Sequence, residues 1–254
     1  MPTVLSEIVA NKRREVAERR RLRPEPERPV ARADGAFLKA LQGDDVKLIA
    51  EIKPSSPSAG VIAPKLDLAT TLDAYDRYAA AISVLTDEKY FGGSLQLLAE
   101  TARRSSRPTL CKDFILDPLQ VVEARAAGAQ AVLLIVKILN DDELAALHQE
   151  IVGLGMTPLV EIQNEAELAR ALRLQPQATL INNRDLETFE ISFETTRRLA
   201  PQVPPGIVAV SASGVQSRAD IETLLPYCSR FLVGTSLMKV GNPAEALKGL
   251  VAAS

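Results

Sequence analysis

Short apolar runs recur along this chain, and several end abruptly on a Glu, Lys or Asn. They are Leu48–Lys53, Ile82–Thr86, Pro108–Lys112, Ala131–Val136, Thr157–Ile162, Ala178–Asn183, Ile207–Ser211 and Phe231–Gly234. Runs of this length read as strands, and the amphipathic stretches between them read as helices. About eight strands at intervals of roughly 20–35 residues, alternating with helices, predict a parallel sheet. Eight such units predict closure into an α/β (β/α)8 TIM barrel, a fold of typically about 250 residues. The 254 residues present match that length without remainder for a second catalytic domain. In such barrels chemistry gathers at the C-terminal ends of the strands. This sequence places its lysines and glutamates there, so the layout predicts an enzyme.

Before the first strand, residues 1–45 read as an N-terminal helical extension covering the barrel of residues 46–254, the two together forming one catalytic domain. Thr3–Arg21 is a predicted helix with Ser6 as its cap and an apolar stripe of Leu5, Ile8, Val9 and Val16. Its Lys12-Arg13-Arg14 and Arg19-Arg20-Arg21 clusters alternate with Glu15 and Glu18, which predicts a solvated face. Arg23–Pro29 holds three prolines and reads as a linker; Asp34 is the expected cap of a short helix to Leu41. Further helices are predicted over Asp117–Ala127, closed by Gly128, and over Asp141–Val152, Glu165–Leu172 and Pro243–Ala253.

Composition narrows the function. A formal charge of -2 provides no global basic field, so no nucleic-acid partner is expected. No apolar run approaches the roughly 20 residues of a membrane span. The charged N-terminus lacks a signal-peptide core, so no membrane partner and a cytoplasmic location are expected. Cys111 and Cys228 are the only cysteines and form no disulfide framework; Cys111 should point away from Lys112 as a small buried hydrophobe. His148 is the only histidine, expected to face solvent, so neither a His-based triad nor a His-rich metal site can be assembled. No metal is predicted, and a monomer is expected.

The candidate chemistry lies at strand ends. Glu51 and Lys53 are two apart on the first strand and share a side. Lys112 ends the third strand, Glu161 lies near the end of the fifth, and Asn182 lies at the end of the sixth. A structural ion-pair layer would also place charges in a barrel. Two lysines and two carboxylates at one rim exceed what packing needs, however, and burying them is expensive unless they are used. Anion-binding signals accompany them: a hydroxyl-rich loop from Lys53 to Gly60 containing Ser56 and Ser58, then Ser213-Gly214, then Gly234-Thr235-Ser236. The last two follow strands seven and eight, where such barrels cradle phosphate on backbone N–H groups and a short helix N-terminus. A phosphorylated small molecule is the expected partner.

Several motifs resemble the indole-3-glycerol phosphate synthase family, in order and from the N-terminal helix to the last strand. They are Glu51-Ile-Lys53 with Ser56-Pro57-Ser58, Ser83-Val-Leu-Thr86-Asp87-Glu88 running to Tyr90-Phe91, and Cys111-Lys112-Asp113-Phe114. They continue with Leu133-Leu134-Ile135, Glu161, Ile181-Asn182-Asn183-Arg184-Asp185-Leu186 and Gly234-Thr235-Ser236-Leu237-Met238. The resemblance implies a carboxy-lyase of tryptophan biosynthesis on a (β/α)8 barrel with an N-terminal helical extension, using no metal or organic cofactor. Its substrate would be 1-(2-carboxyphenylamino)-1-deoxyribulose 5-phosphate, closed to indole-3-glycerol phosphate with loss of CO2 and water.

The same resemblance implies residue roles. Lys112 would be the general acid at the ribulose C2 oxygen, while Lys53 would bind the substrate carboxylate and assist dehydration. Glu161 would stabilise the cationic intermediate or act as base, Glu51 would serve dehydration and orientation, and Asn182 would bind substrate hydroxyls. Ser56, Arg184, Ser213, Gly214, Gly234 and Thr235 would bind or surround the phosphate. Phe91 and Phe114 are candidates for the anthranilate pocket, with core packing as the alternative for each. Two positions depart from the family pattern: Ala212 stands where Glu precedes Ser-Gly, and Leu180 where Gly precedes Ile-Asn. The first removes a carboxylate that should face the lysines, which implies attenuated activity. The second would narrow the barrel mouth. The alternative reading is a phosphosugar-binding barrel with little or no turnover; a phosphoribosylanthranilate isomerase fits less well, because the first strand ends Glu-Ile-Lys.

Overall fold

A strand in a closed parallel barrel must be apolar on both faces, since one packs the lumen and the other packs helices. The computed structural model, which describes residues 3–22, 35–57, 60–62, 66–238 and 242–251, meets that demand with eight strands. They are β1 (Lys47–Ile52), β2 (Ala81–Leu85), β3 (Thr109–Lys112), β4 (Ala131–Ile135), β5 (Thr157–Ile162), β6 (Ala178–Asn182), β7 (Val208–Ala212) and β8 (Arg230–Val233). Each pairs in parallel with its sequence neighbours, and β1 pairs with β8, so the sheet closes into a (β/α)8 TIM barrel.

Alternation then divides the side chains. Ile49, Leu133, Leu159, Leu180, Val210 and Leu232 fill the lumen. Their neighbours Leu48, Ala50, Val132, Leu134, Val160, Ile181 and Phe231 face the helical shell. Each fully buried Leu, Ile or Phe contributes about 1.5–3 kcal/mol, and a one-residue register slip would exchange the two faces. Polar caps start the helices at the C-terminal rim: Asp117 accepts from Leu119 N (2.8 Å) with Pro118 in the first turn, and Asn164 accepts from Glu167 N (2.9 Å). Asn140 and Glu143 form a reciprocal capping box, as do Ser217 and Asp220.

The N-terminal segment corrects two expectations. Helix α1 (Val4–Leu22) is capped by Thr3, not Ser6: the Ser6 amide donates to Thr3 Oγ1 (3.2 Å), and the Ser6 hydroxyl donates to the Thr3 carbonyl. Of its basic residues Arg13, Arg14, Arg20 and Arg21 are exposed as expected, but Lys12 is not part of the solvated face, being 2 % exposed. Arg13, Arg19 and Arg20 reach across to Glu143, Glu123 and Asp117 of the barrel helices. Helix α2 (Ala36–Ala40) starts from Gly35, whose φ of 61° replaces a side-chain cap; the proposed cap Asp34, the proline linker at 23–29, and Ser58 lie outside the described residues. Phe37 and Leu41 are fully buried in the cluster that contains Ile49 and Ala81. Arg230, the first residue of β8, donates to the Leu41 carbonyl (3.0 Å), so α2 closes the N-terminal end of the barrel.

His148 is a third correction. It lies half-buried on the helix Asp141–Gly153, with Nε2 enclosed and without a hydrogen-bond partner, and burial lowers its pKa. A polar sequence context concealed this, since only packing decides which side of a helix a histidine takes. The loop after β1 holds a short antiparallel pairing, Ser55–Ser56 with Gly60–Val61, which buries Ser56. Among the described residues no helix is long and apolar enough to cross a membrane.

Candidate active site

The C-terminal ends of the strands open into a cavity of about 420 Å³. It is lined by Glu51, Lys53, Ser56, Phe91, Lys112, Phe114, Glu161, Asn182, Arg184, Ser213, Gly214, Gly234 and Thr235, together with Ala212. Every residue assigned a role by the family resemblance therefore borders one space, although they come from strands far apart in the chain. Cys111 points the other way. It is buried among shell residues beside Thr86, and burial pushes its thiol up to about 12, which suits a packing group rather than a nucleophile.

The two lysines are held differently. Lys53 Nζ lies 2.8 Å from Glu51 Oε1, a contact ion pair. Burial alone would raise the Glu51 carboxyl, but Lys53 and Lys112 outweigh it and hold the group below its ordinary range. Lys112 Nζ lies 4.0 Å from Glu161 Oε2, beyond hydrogen-bond length, so its charge is balanced while its protons stay available to a third party.

Glu161 is fixed on one oxygen and open on the other. Asn182 Nδ2 donates to Glu161 Oε1 at 2.9 Å. Oε2 is buried without a hydrogen-bond donor, an arrangement that costs about 1–3 kcal/mol unless a ligand completes it. The Asn182 amide is itself oriented, since its Oδ1 accepts from the Ser213 hydroxyl (2.8 Å) and from Arg184 N (3.0 Å). Ser213 reaches this position with a left-handed φ of 68°, a conformation that costs a non-glycine residue about 1–2 kcal/mol. Asn183 Nδ2 secures the turn by donating to the Ser213 carbonyl (3.1 Å) and to Ser211 Oγ (3.0 Å).

Gly234 has a steric reason to be glycine. A Cβ there would stand 2.3 Å from Glu51 Oε1, so the β8 backbone approaches the carboxylate more closely than any side chain allows. Gly234 leads into the helix Thr235–Met238, beside the Ser213-Gly214 turn of the neighbouring strand, and exposed amides at such a rim suit an anion. The opposing wall is apolar: Phe91 and Phe114 stand 6.0 Å apart, with Leu85, Ile135 and Leu180 beneath. Leu180 thus lies on the cavity floor rather than across the mouth alone. Among the described residues no group of three His, Cys, Asp or Glu side chains is placed to hold a metal ion.

Leu186, quoted above only as part of a motif, also borders the cavity, and sequence reasoning missed Phe189 and Ile191, which do so too. They belong to the segment after β6, folded back by the Arg184–Ile191 bridge and by Arg184 donating to the Phe189 carbonyl (3.1 Å). Apolar residues spaced along a connecting segment carry no periodicity, so no sequence signal marks them.

The indole-3-glycerol phosphate synthase family model matches residues 5–250. A protein named indole-3-glycerol phosphate synthase from Acidithiobacillus ferrooxidans is 41% identical over 98% of this chain and 99% of its own length. Tryptophan biosynthesis protein TrpCF from Vibrio cholerae is 40% identical over 99% of this chain but only 54% of its own length. The chain thus spans about half the length of the TrpCF relatives it matches. Among solved structures, KGPDC from Streptococcus mutans superposes with a TM-score of 0.62 over 81% of this chain and 96% of that one. At 11% identity that likeness concerns the fold alone.

Proposed function

The chain belongs to the indole-3-glycerol phosphate synthase family, and from that premise we propose that it closes the indole ring of indole-3-glycerol phosphate in tryptophan biosynthesis. The observation that carries the reading is Glu161: a buried carboxylate held on one oxygen by Asn182 and left without a donor on the other, 4.0 Å from Lys112. A barrel that only bound a phosphosugar would gain nothing from that arrangement.

The substrate offers three handles: an anthranilate ring with its carboxylate, a ketose C2 carbonyl, and a terminal phosphate. Phosphate sits against the Ser213-Gly214 and Gly234-Thr235 backbones, with Arg184 and Ser56 at the rim. The ring lies on Phe91 and Phe114, its carboxylate directed to Lys53. This places C2 between Lys112 and Glu161. Lys112 delivers a proton to the C2 oxygen as the carboxylate-bearing ring carbon attacks C2. The ring carries positive charge at that moment, and Glu161 stabilises it, because a fixed charge as buried as Glu161 acts with little screening. Loss of CO2 restores the aromatic ring.

Dehydration follows. The hydroxyl formed from C2 leaves as water with a proton from Lys53, while Glu51 removes a proton from C1. Their 2.8 Å contact lets the proton return from carboxyl to amine. One proton is consumed per turnover, that given by Lys112, as loss of CO2 from a carboxylate requires. Solvent returns that proton to Lys112 between turnovers; every other proton passes between side chains of this protein.

Incubation of the protein with 1-(2-carboxyphenylamino)-1-deoxyribulose 5-phosphate tests the proposal. Appearance of indole fluorescence with one CO2 per turnover is expected; tight binding of the substrate without either product would favour the phosphosugar-binding alternative.

A further inference from the structure

Lys12 is a buried lysine with no place in the chemistry above. Its side chain is 2 % exposed, and its Nζ lies 2.8 Å from Asp87 Oδ2, 3.0 Å from Asp113 Oδ1 and 3.2 Å from Glu15 Oε2. Asp87 is fully buried and Asp113 nearly so, whereas Glu15 is partly in solvent. Two carboxylates therefore meet one ammonium beneath the rim, where an uncompensated charge is strongly destabilising. Burial works against the charged lysine, yet the two aspartates hold its pKa above the ordinary value.

What the aspartates hold next decides the role. Asp87 Oδ1 accepts from Tyr90 N (2.7 Å) and caps the helix Glu88–Phe91, which ends on Phe91. Asp113 Oδ1 accepts from Phe114 N (2.8 Å), and its Oδ2 accepts from the Thr86 hydroxyl (2.8 Å), directly after Lys112. Phe91 and Phe114 are the aromatic wall of the cavity. Leu5 and Ile8, two turns and one turn before Lys12 on α1, belong to the apolar cluster that includes Phe114 and touches Phe91. A second tie runs from Lys89 Nζ to Asn11 Oδ1 (2.9 Å).

We propose that Lys12 is a positioning residue: by bridging Asp87 and Asp113 it lets both carboxylates hold Phe91 and Phe114 in place, so α1 sets the aromatic side of the cavity. The kinetic part of this inference rests on the ring-closure reading; the geometric part does not. The aspartates without Lys12 repel each other, and relief requires one of them to release its amide. The aromatic wall then moves, while the phosphate cradle on β7 and β8, across the barrel, stays as it was.

Lys12→Met and the charge-rebalanced double variant Lys12→Met/Asp113→Asn separate this role from simple loss of packing. Lys12→Met should lower kcat/KM by about 10-fold or more, as expected for a displacement approaching 1 Å at the site. Inhibition by inorganic phosphate should stay within about twofold of the parent on the same reasoning. Asn at 113 should return most of the loss, and crystal structures should show the Phe91–Phe114 pair displaced in the single variant and restored in the double. Unmoved rings in Lys12→Met, unchanged kcat/KM beside an active parent, or a double variant worse than the single would each overturn it. If Lys12→Met does not fold, the double decides: a folded protein with parental ring geometry supports the inference, and an unfolded one refutes it. A parent without turnover would sink the ring-closure reading instead, leaving the crystal structures to decide this one.

Discussion

Gly234→Ala adds one methyl group at the most crowded point of the barrel mouth. Its carbon would stand 2.3 Å from Glu51 Oε1 and 3.0 Å from both Cβ and Cδ of the same residue. Non-bonded carbon contacts settle at about 3.5–4.0 Å, so the carboxylate must retreat by about 1 Å. It can retreat only toward the cavity, at the expense of its 2.8 Å pairing with Lys53. Overpacking of this kind costs about 1–3 kcal/mol of stability. A misplacement of about 1 Å in a catalytic pair costs on the order of 10²-fold in rate. Stopped-time assays of indole formation at saturating substrate should therefore show kcat reduced by roughly 10–100-fold, with inhibition by inorganic phosphate changed far less. A variant that folds and keeps kcat within about twofold of the parent would refute the claim that the Glu51–Gly234 approach matters to the chemistry.

Two further outcomes follow from the same constellation. Ala212 ends β7 beside Asn182 and is 3 % exposed, so Ala212→Glu brings a carboxylate to the cavity wall; kcat should rise by about 10-fold or more, and an unchanged or lower value would count against a missing electrostatic group. Glu51 titrates below its ordinary value of 4.5 in the folded protein, because the pull of Lys53 and Lys112 exceeds the cost of burial. Its stabilising contribution is complete above that value and is lost as pH falls through the depressed one, since the unfolded chain takes up the proton first. Denaturant titrations below pH about 4.5 should show a shallower loss of stability for Glu51→Gln than for the parent, and equal slopes would contradict this.

The barrel was legible because its physics is local and repeated. Every strand from β1 to β8 is announced by an apolar run of the right length, and several runs end on a charged or amide residue that marks the rim. Glu51, Lys53, Lys112, Glu161 and Asn182 are visible for that reason: a charge or an amide at the end of an otherwise apolar strand is not explained by packing. Lys12 was misread because its partners, Asp87 and Asp113, lie far away in sequence, and interleaved charges on a helix look alike whether water or a barrel covers them. The Ser213 turn was equally hidden, since a left-handed serine is created by the bonds from Asn183 and to Asn182, not by local propensity. Gly234 could be named as part of an anion loop, but its closeness to Glu51 exists only once β1 and β8 pair and close the sheet.

The proton on Lys112 is the first event in the proposed reaction, and its loss offers the cleanest measurement. The chain contains no tryptophan, so indole fluorescence rises against a dark background. Lys112→Ala should fold, retain inhibition-grade binding of the substrate phosphate, and produce no indole signal under conditions in which the parent turns over. A Lys112→Ala protein that forms indole-3-glycerol phosphate at the parental rate would contradict the account at its centre.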